Sequence, residues 1–178
     1  MTGVGHQQFE DLKNEENQMT KIRFATAADI PALVELGKAI HGETRLSRFP
    51  FNPKRLAAQF ESILSPPRSD YCVFVAEKET FGLVGLFWGQ ISQYYFSDAL
   101  VATDFMFYVR PELRGTPLAV RLIHGFRQWA TNRGADEVCI NMTTGIDIDR
   151  FDRFLRHMGF DYTGGNYSQW VVRDGAAK

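Results

Sequence analysis

The chain has few cysteines, no long apolar run and no excess of charge, and each shortage excludes a class of protein. Cys72 and Cys139 are the two cysteines of 178 residues, far apart and each set in an apolar, strand-like run. They build no disulfide framework, and no Cys/His cluster has metal-ligand spacing, so buried reduced thiols and no metal are expected. No stretch approaches the roughly 18 apolar residues of a membrane-spanning helix, and no basic leader followed by an apolar run opens the chain. A soluble, cytoplasmic protein without a membrane partner is therefore expected. Twenty basic against 21 acidic residues leave a net charge of -1, too small to draw nucleic acid or an anionic surface through a global field. Internal repeats and linkers are missing too.

What is present is enough for a core. With 44% hydrophobic and 13% aromatic residues, the chain can fold as one domain. Residues 1–18 are polar and have little to bury, so a disordered N-terminal extension is expected, with Met19 as a candidate true start and residues 19–178 as a single domain. Within that domain, Lys21 to Ala25 alternates like a strand. Thr26 and Asp29 resemble a capping box before a helix ending near His41-Gly42. Asn52 caps a second helix from Pro53 to Leu64. Strands follow at Tyr71–Glu77, Phe81–Phe96 and Ala99–Val109, the first two as a hairpin. A helix runs on to Gly134, then a strand at Glu137–Thr143 and a helix at Asp147–His157, and two short strands close the chain at Asp161–Thr163 and Tyr167–Val172.

The most informative stretch is Tyr108 to Ala119. Pro111 cannot continue a central strand, Thr116 suits an N-cap, and Pro117 suits a first helical turn. A helix N-terminus thus opens at the mouth of a strand. Its free amides, the positive end of its dipole and the permanent charge of Arg114 suit an anion, most simply a pyrophosphate. An ordinary strand-to-helix turn with a solvated arginine has the same local pattern.

From Thr20 to Val172 the chain resembles the GNAT superfamily of acyl-CoA N-acyltransferases. The marks are Thr26-Ala27-Ala28-Asp29, Val75-Ala76-Glu77 followed by Gly82-Leu83-Val84-Gly85, Val109 with Pro111, the Arg114-Gly115 turn, and Gly159-Phe160, whose order and spacing are more specific than any one of them. Thr143-Thr144-Gly145 and Phe126 to Gly134 look most like a branch found in phage and prophage genomes. The resemblance implies an α/β (α+β) fold with a mixed sheet of about six to seven strands, in the order β-α-α-β-β-β-α-β-α-β-β, splayed between the fourth and fifth. It implies acetyl-CoA as co-substrate, held by the backbone of Tyr108 and Val109 and by Arg114, Gly115, Thr116, Leu118 and Ala119. Pro117 departs from the glycine usual in this turn and removes one amide.

The resemblance also frames the chemistry, which is direct attack of a primary amine on the thioester in a ternary complex; neither cysteine sits in a Cys/His pair that would support a covalent intermediate. The family's tyrosine four residues before Gly-Phe, which protonates the leaving thiol, is here Leu155. Tyr94 is a substitute donor, and the thiolate, with a pKa of about 8.5, could also leave unassisted. Asp104 is the only carboxylate in the fourth strand and reads either as the general base or as a surface or ion-paired residue; strand parity sets it opposite Thr103 and Phe105. Asn141 is placed to orient a water or an amide, or to satisfy backbone groups beside the splay. His41, Glu43 and Arg45 lie where the family's first two helices join, a segment that walls the acceptor site. Trp88, Tyr94, Tyr95 and Phe96 read as core or as an apolar acceptor lining. The acceptor is a small-molecule, peptide or protein amine, and a homodimer through the late strands fits the resemblance. A silent module that binds coenzyme A or a protein partner is the alternative, drawing on Pro117 and Leu155, and a nucleic-acid binder gains little from the balanced charge.

Overall fold

The computed structural model describes residues 20–170. The expected extension at residues 1–18, Met19 and the end of the last expected strand lie outside the described residues. The chain divides into two compact units, the first ending at Asn141 and the second beginning at Met142.

The first unit is a five-stranded sheet in sequence order, with helices on both faces. Its strands are β1 (Thr20–Phe24), β2 (Tyr71–Lys78), β3 (Gly82–Gln93), β4 (Leu100–Val109) and β5 (Glu137–Cys139), and its helices are α1 (Ile30–Glu43), α2 (Pro53–Leu64) and α3 (Leu118–Asn132). The first four strands pair antiparallel and β5 joins β4 in parallel. The central strands β2 and β3 are near-continuous buried apolar runs, so the sheet is covered on both sides. On one side Leu33 and Leu36 of α1 and Phe60 and Ile63 of α2 meet Val73, Val75, Leu86, Trp88 and Tyr108. On the other side Leu122 and Phe126 of α3 approach Gly85 and Gly89 of β3. Phe126 stacks on Phe87 with ring centroids 4.4 Å apart.

The capping box forms as the sequence predicts. Asp29 accepts from the Thr26 amide at 2.8 Å, opening a single 3-10 turn that runs into α1. Arg23 of β1 forks onto both Asp29 oxygens at 2.8 Å and reaches Glu77 of β2 at 2.8 Å, tying the helix entrance to two strands. Those Arg23 hydrogen bonds hold the Asp29 carboxyl at about 2 instead of 3.8.

The second unit contains α4 (Ile148–His157). Gly159, at φ 84°, ends it, with the Phe160 amide donating to Leu155 at 3.0 Å. Three expectations are corrected. The sheet has five strands among the described residues, where about six to seven are expected. The expected strand at Asp161–Thr163 is irregular chain, and so are residues 167–170 of the last one. Strand propensity there reports aromatic content, but Tyr162 and Tyr167 are exposed and have no neighbouring face to cover. Finally, β5 stops at Cys139 where the sequence predicts a strand to Thr143, because Asn141 binds β4 through side chains instead.

Asp29→Asn lowers stability by about 2 kcal/mol at neutral pH. Because the folded carboxyl is depressed, that contribution is full above about pH 4 and fades as pH falls toward about 2, so acid titrations of the two proteins should converge at the acid end. Gly89→Ala drives a methyl into the fully buried Phe126 ring and costs about 1–3 kcal/mol, read as a lower urea midpoint.

Candidate active site

Past Val109 the chain leaves β4 at Pro111, makes one 3-10 turn over Pro111–Leu113, and reverses at Gly115, whose φ of 91° favours glycine. The Thr116 hydroxyl donates to the Leu113 carbonyl at 2.7 Å and accepts weakly from the Leu118 amide at 3.4 Å. Pro117 thereby precedes the helix rather than forming its first residue, one position from the predicted start. The turn leaves donors over. Among the described residues no carbonyl accepts from the amides of Gly115, Ala119 or Val120. These amides at the positive end of a 15-residue helix fit an anion such as a pyrophosphate, and the missing Pro117 amide leaves them intact.

The Arg114 side chain is committed elsewhere. Its Nε donates to the Val109 carbonyl at 3.0 Å and its Nη2 to Glu43 at 2.5 Å, while the guanidinium lies 5.4 Å from the Tyr108 ring centroid. The Tyr108 hydroxyl donates to the other Glu43 oxygen at 2.6 Å. Sequence spacing separates Glu43 from the turn by some seventy positions, but the fold joins them through one carboxylate. Burial pushes the Glu43 carboxyl up, yet the Tyr108 and Arg114 hydrogen bonds and the Arg114 charge outweigh it and hold it below the usual range. Burial, followed by the bond to Glu43, pushes the Tyr108 hydroxyl up to about 12, so it is a donor and not a base.

The fourth strand carries a bulge. Trp88 pairs with Met106 and Gly89 with Asp104, which leaves Phe105 as the extra residue. Four apolar residues in a row, Phe105 to Tyr108, break the period of two and are the sequence signal for it. The bulge changes the parity of the strand: Asp104 stands opposite Gly89 on the α3 side, while Met106 and Tyr108 join the α1–α2 side. The β4–β5 ladder ends at Thr103 and Cys139, and beyond it the outer edge of β4 has no strand partner among the described residues. At that point Asp104 Oδ1 accepts from the Asn141 amide at 2.7 Å and from Asn141 Nδ2 at 3.0 Å, and Nδ2 also donates to Thr103 at 2.9 Å. Burial pushes the Asp104 carboxyl up, against the Asn141 hydrogen bonds that favour its charged form. Two sequence-predicted residues, Asp104 and Asn141, are thus in direct contact.

Tyr94 is not brought to them. It pairs with Ala99 at the far end of the β3–β4 hairpin, five residues beyond Gly89, or about 17 Å along the strand. It is half exposed among Tyr95 and Phe96, so these three do not line an acceptor pocket and Trp88 is core. Leu155 is buried on α4 and brings no hydroxyl. Burial pushes the Cys72 thiol up to about 12 and raises that of Cys139, which keeps both protonated.

Between α1, the loop after it and α2 lies an open groove of about 340 Å³. His41, Phe49, Phe51, Arg55, Leu56 and Met106 are among its lining residues. His41 donates from Nε2 to the Phe49 carbonyl at 2.8 Å, which leaves Nδ1 as the lone-pair nitrogen of the neutral ring. Arg45 begins the 3-10 turn that follows α1, and Glu43 faces the arginine turn rather than the groove. Arg55, Gln59 and Met106 escaped sequence reasoning, because groove residues from a helix and a strand share no local spacing.

No family model matches the chain, and no curated protein matches it. Solved structures do. An aminoglycoside acetyltransferase from an uncultured soil metagenomic sample, in complex with trehalose, aligns at TM-score 0.68 and 18% identity over 88% of this chain and 98% of its own. A glucosamine-6-phosphate N-acetyltransferase from Arabidopsis thaliana aligns at 0.66 and 16% over 86% and 99%. AAC(6')-Iy, in complex with a bisubstrate analogue joining coenzyme A to acetylneamine, aligns at 0.67 and 20% over 86% and 98%. The sheet, its early release of β5 and the turn before α3 define a mixed α/β architecture. The chain has the GNAT fold.

Glu43→Gln weakens the bridge between α1 and the arginine turn and lowers stability by about 1 kcal/mol at pH 7. Since the folded Glu43 carboxyl is depressed, the difference from the parent shrinks as pH falls through the carboxylate range, which thermal melts at several pH values will read.

Proposed function

We propose that this chain is an N-acetyltransferase that moves the acetyl group of acetyl-CoA to a primary amine. The observation that carries the reading is the set of uncommitted amides at Gly115, Ala119 and Val120, at the start of α3 and beside an open strand edge. The likeness to acetyltransferases solved with coenzyme A or an analogue adds to it. The pyrophosphate is assigned to those amides, with Thr116 and Leu118 completing the turn, and the pantetheine arm to the free edge of β4 near Tyr108 and Val109. Arg114 acts from the side, since Glu43 balances its charge.

Asp104 is the general base. The neutral amine attacks the thioester carbon at the β4 edge; the C–N bond forms and the C–S bond breaks, and because Asp104 lies on the α3 face and the groove on the other, the amine's proton reaches its raised carboxyl through water around that edge and passes on to the leaving thiolate. Asn141 holds Asp104 in place. His41 and Arg45 belong to the wall of the acceptor groove, and Glu43 serves the coenzyme turn from behind. Tyr94 is given no part. A second reading, a module that binds coenzyme A without turnover, draws on Pro117 and on the absence of a hydroxyl at Leu155.

Calorimetric titration of acetyl-CoA into the full chain tests the binding step. Arg114→Ala should weaken it about tenfold without abolishing it, because the amides remain; absent binding in the parent would remove the basis of the reading. Asp104→Asn should lower kcat by about 10²–10⁴-fold while coenzyme binding persists. The parent's kcat/KM should rise with pH through an ionisation above the ordinary aspartate value of about 3.9, and that limb should vanish in Asp104→Asn. Free thiol released without dependence on Asp104 would exclude it as the base.

A further inference from the structure

We propose that the acceptor is a small amine with an apolar body and a carboxylate, as in an apolar α-amino acid, and that Arg55 receives the carboxylate. This deepens the acetyltransferase reading and rests on it. The groove's volume of about 340 Å³ lies at the small end of ligand pockets, which run from about 300 to 1,000 Å³, and so suits a single residue-sized molecule.

Its lining chooses the chemistry. Ile40, Leu46, Phe49, Phe51, Leu56 and Met106 supply apolar surface, which favours an apolar or aromatic body. None of the lining residues is Asp or Glu, and the charged or titratable ones are Arg55 and His41. The depletion extends along the chain, since Thr44 to Phe60 contains Arg45, Arg48, Lys54 and Arg55 and no acid. Arg55 has no acid within ion-pair distance among the described residues, and its guanidinium offers a fork that matches a carboxylate. The carboxylate of Glu43, two residues beyond His41, is held by Tyr108 and Arg114 and is not available to a ligand ammonium. A polycationic acceptor entering this groove would lose water, meet Arg55 and find no counter-charge. A ligand with one carboxylate meets the opposite situation, and its amine reacts as the free base, which needs no acidic partner to bind.

The test compares acceptors on the full chain loaded with acetyl-CoA. L-Phenylalanine, L-leucine and L-methionine are set against L-phenylalaninamide and against spermine, with thiol release and the mass of the acetylated product as readouts. The expected result is a kcat/KM for phenylalanine about tenfold or more above that for its amide, and no product from spermine. Arg55→Ala should erase the preference for the acid over the amide, and Arg55→Lys should restore part of it, which a purely structural role for Arg55 would not do. Preference for the amide or for spermine, a preference that survives Arg55→Ala, or no turnover of any carboxylate-bearing amine while acetyl-CoA binds, would overturn the acceptor assignment alone. Failure of acetyl-CoA to bind by calorimetry would overturn the acetyltransferase reading and this one together.

Discussion

The fourth strand is held by a neighbour along its whole length on one side and released early on the other, and the candidate site follows from that inequality. A backbone edge that leaves its ladder still carries donors and acceptors that need partners. Here the Asp104 carboxylate replaces β5 at the first lost position by accepting from Asn141, and the Val109 carbonyl is taken by Arg114 at the last. Between them the outer edge of β4 has no strand partner among the described residues. The bulge at Phe105 belongs to the same device. It shifts the strand by one residue, so that the acid faces one side of the sheet while Met106 and Tyr108 face the groove and α1 on the other.

A second link joins the end of α1 to the arginine turn. Glu43 ends α1, and its two carboxylate oxygens reach Tyr108 on β4 and Arg114 beyond it. The end of α1, the end of β4 and the start of the turn therefore behave as one hydrogen-bonded body, and the loop bearing Phe49 and Phe51 departs from its corner. Arg114 is consequently a part of the scaffold with spare donors. The amides at the helix start are the donors there with no competing carbonyl among the described residues.

Much of the fold was legible because its signals are local. Thr26-Ala27-Ala28-Asp29 announced a capped helix, Asn52-Pro53 another, and Pro111 with Gly115 the exit from β4 into α3, each with boundaries within a residue or two. The end of the chain was not legible in the same way. Tyr162 and Tyr167 have strand-forming side chains, but a strand exists only where an edge receives it, and sequence says nothing of edges. The site divides along the same line. Arg114, Gly115, Thr116, Leu118 and Ala119 are neighbours in the chain and could be read together, whereas Asp104 and Asn141 were picked out singly and their contact depends on β5 ending at Cys139. The Glu43 bridge, the contribution of Met106 and Arg55 to one groove and the removal of Tyr94 from the chemistry depend on register and on helix placement, which no short pattern encodes.

On the proposed function, the amides at the start of α3 seat the coenzyme's pyrophosphate. Titrating coenzyme A into the ¹⁵N-labelled full chain and following each backbone amide by NMR tests that most directly. The signals of Gly115, Ala119 and Val120 are expected to move first and furthest, together with that of Arg114 Nε–H. Binding that leaves these amides in place and perturbs another part of the chain would contradict that assignment.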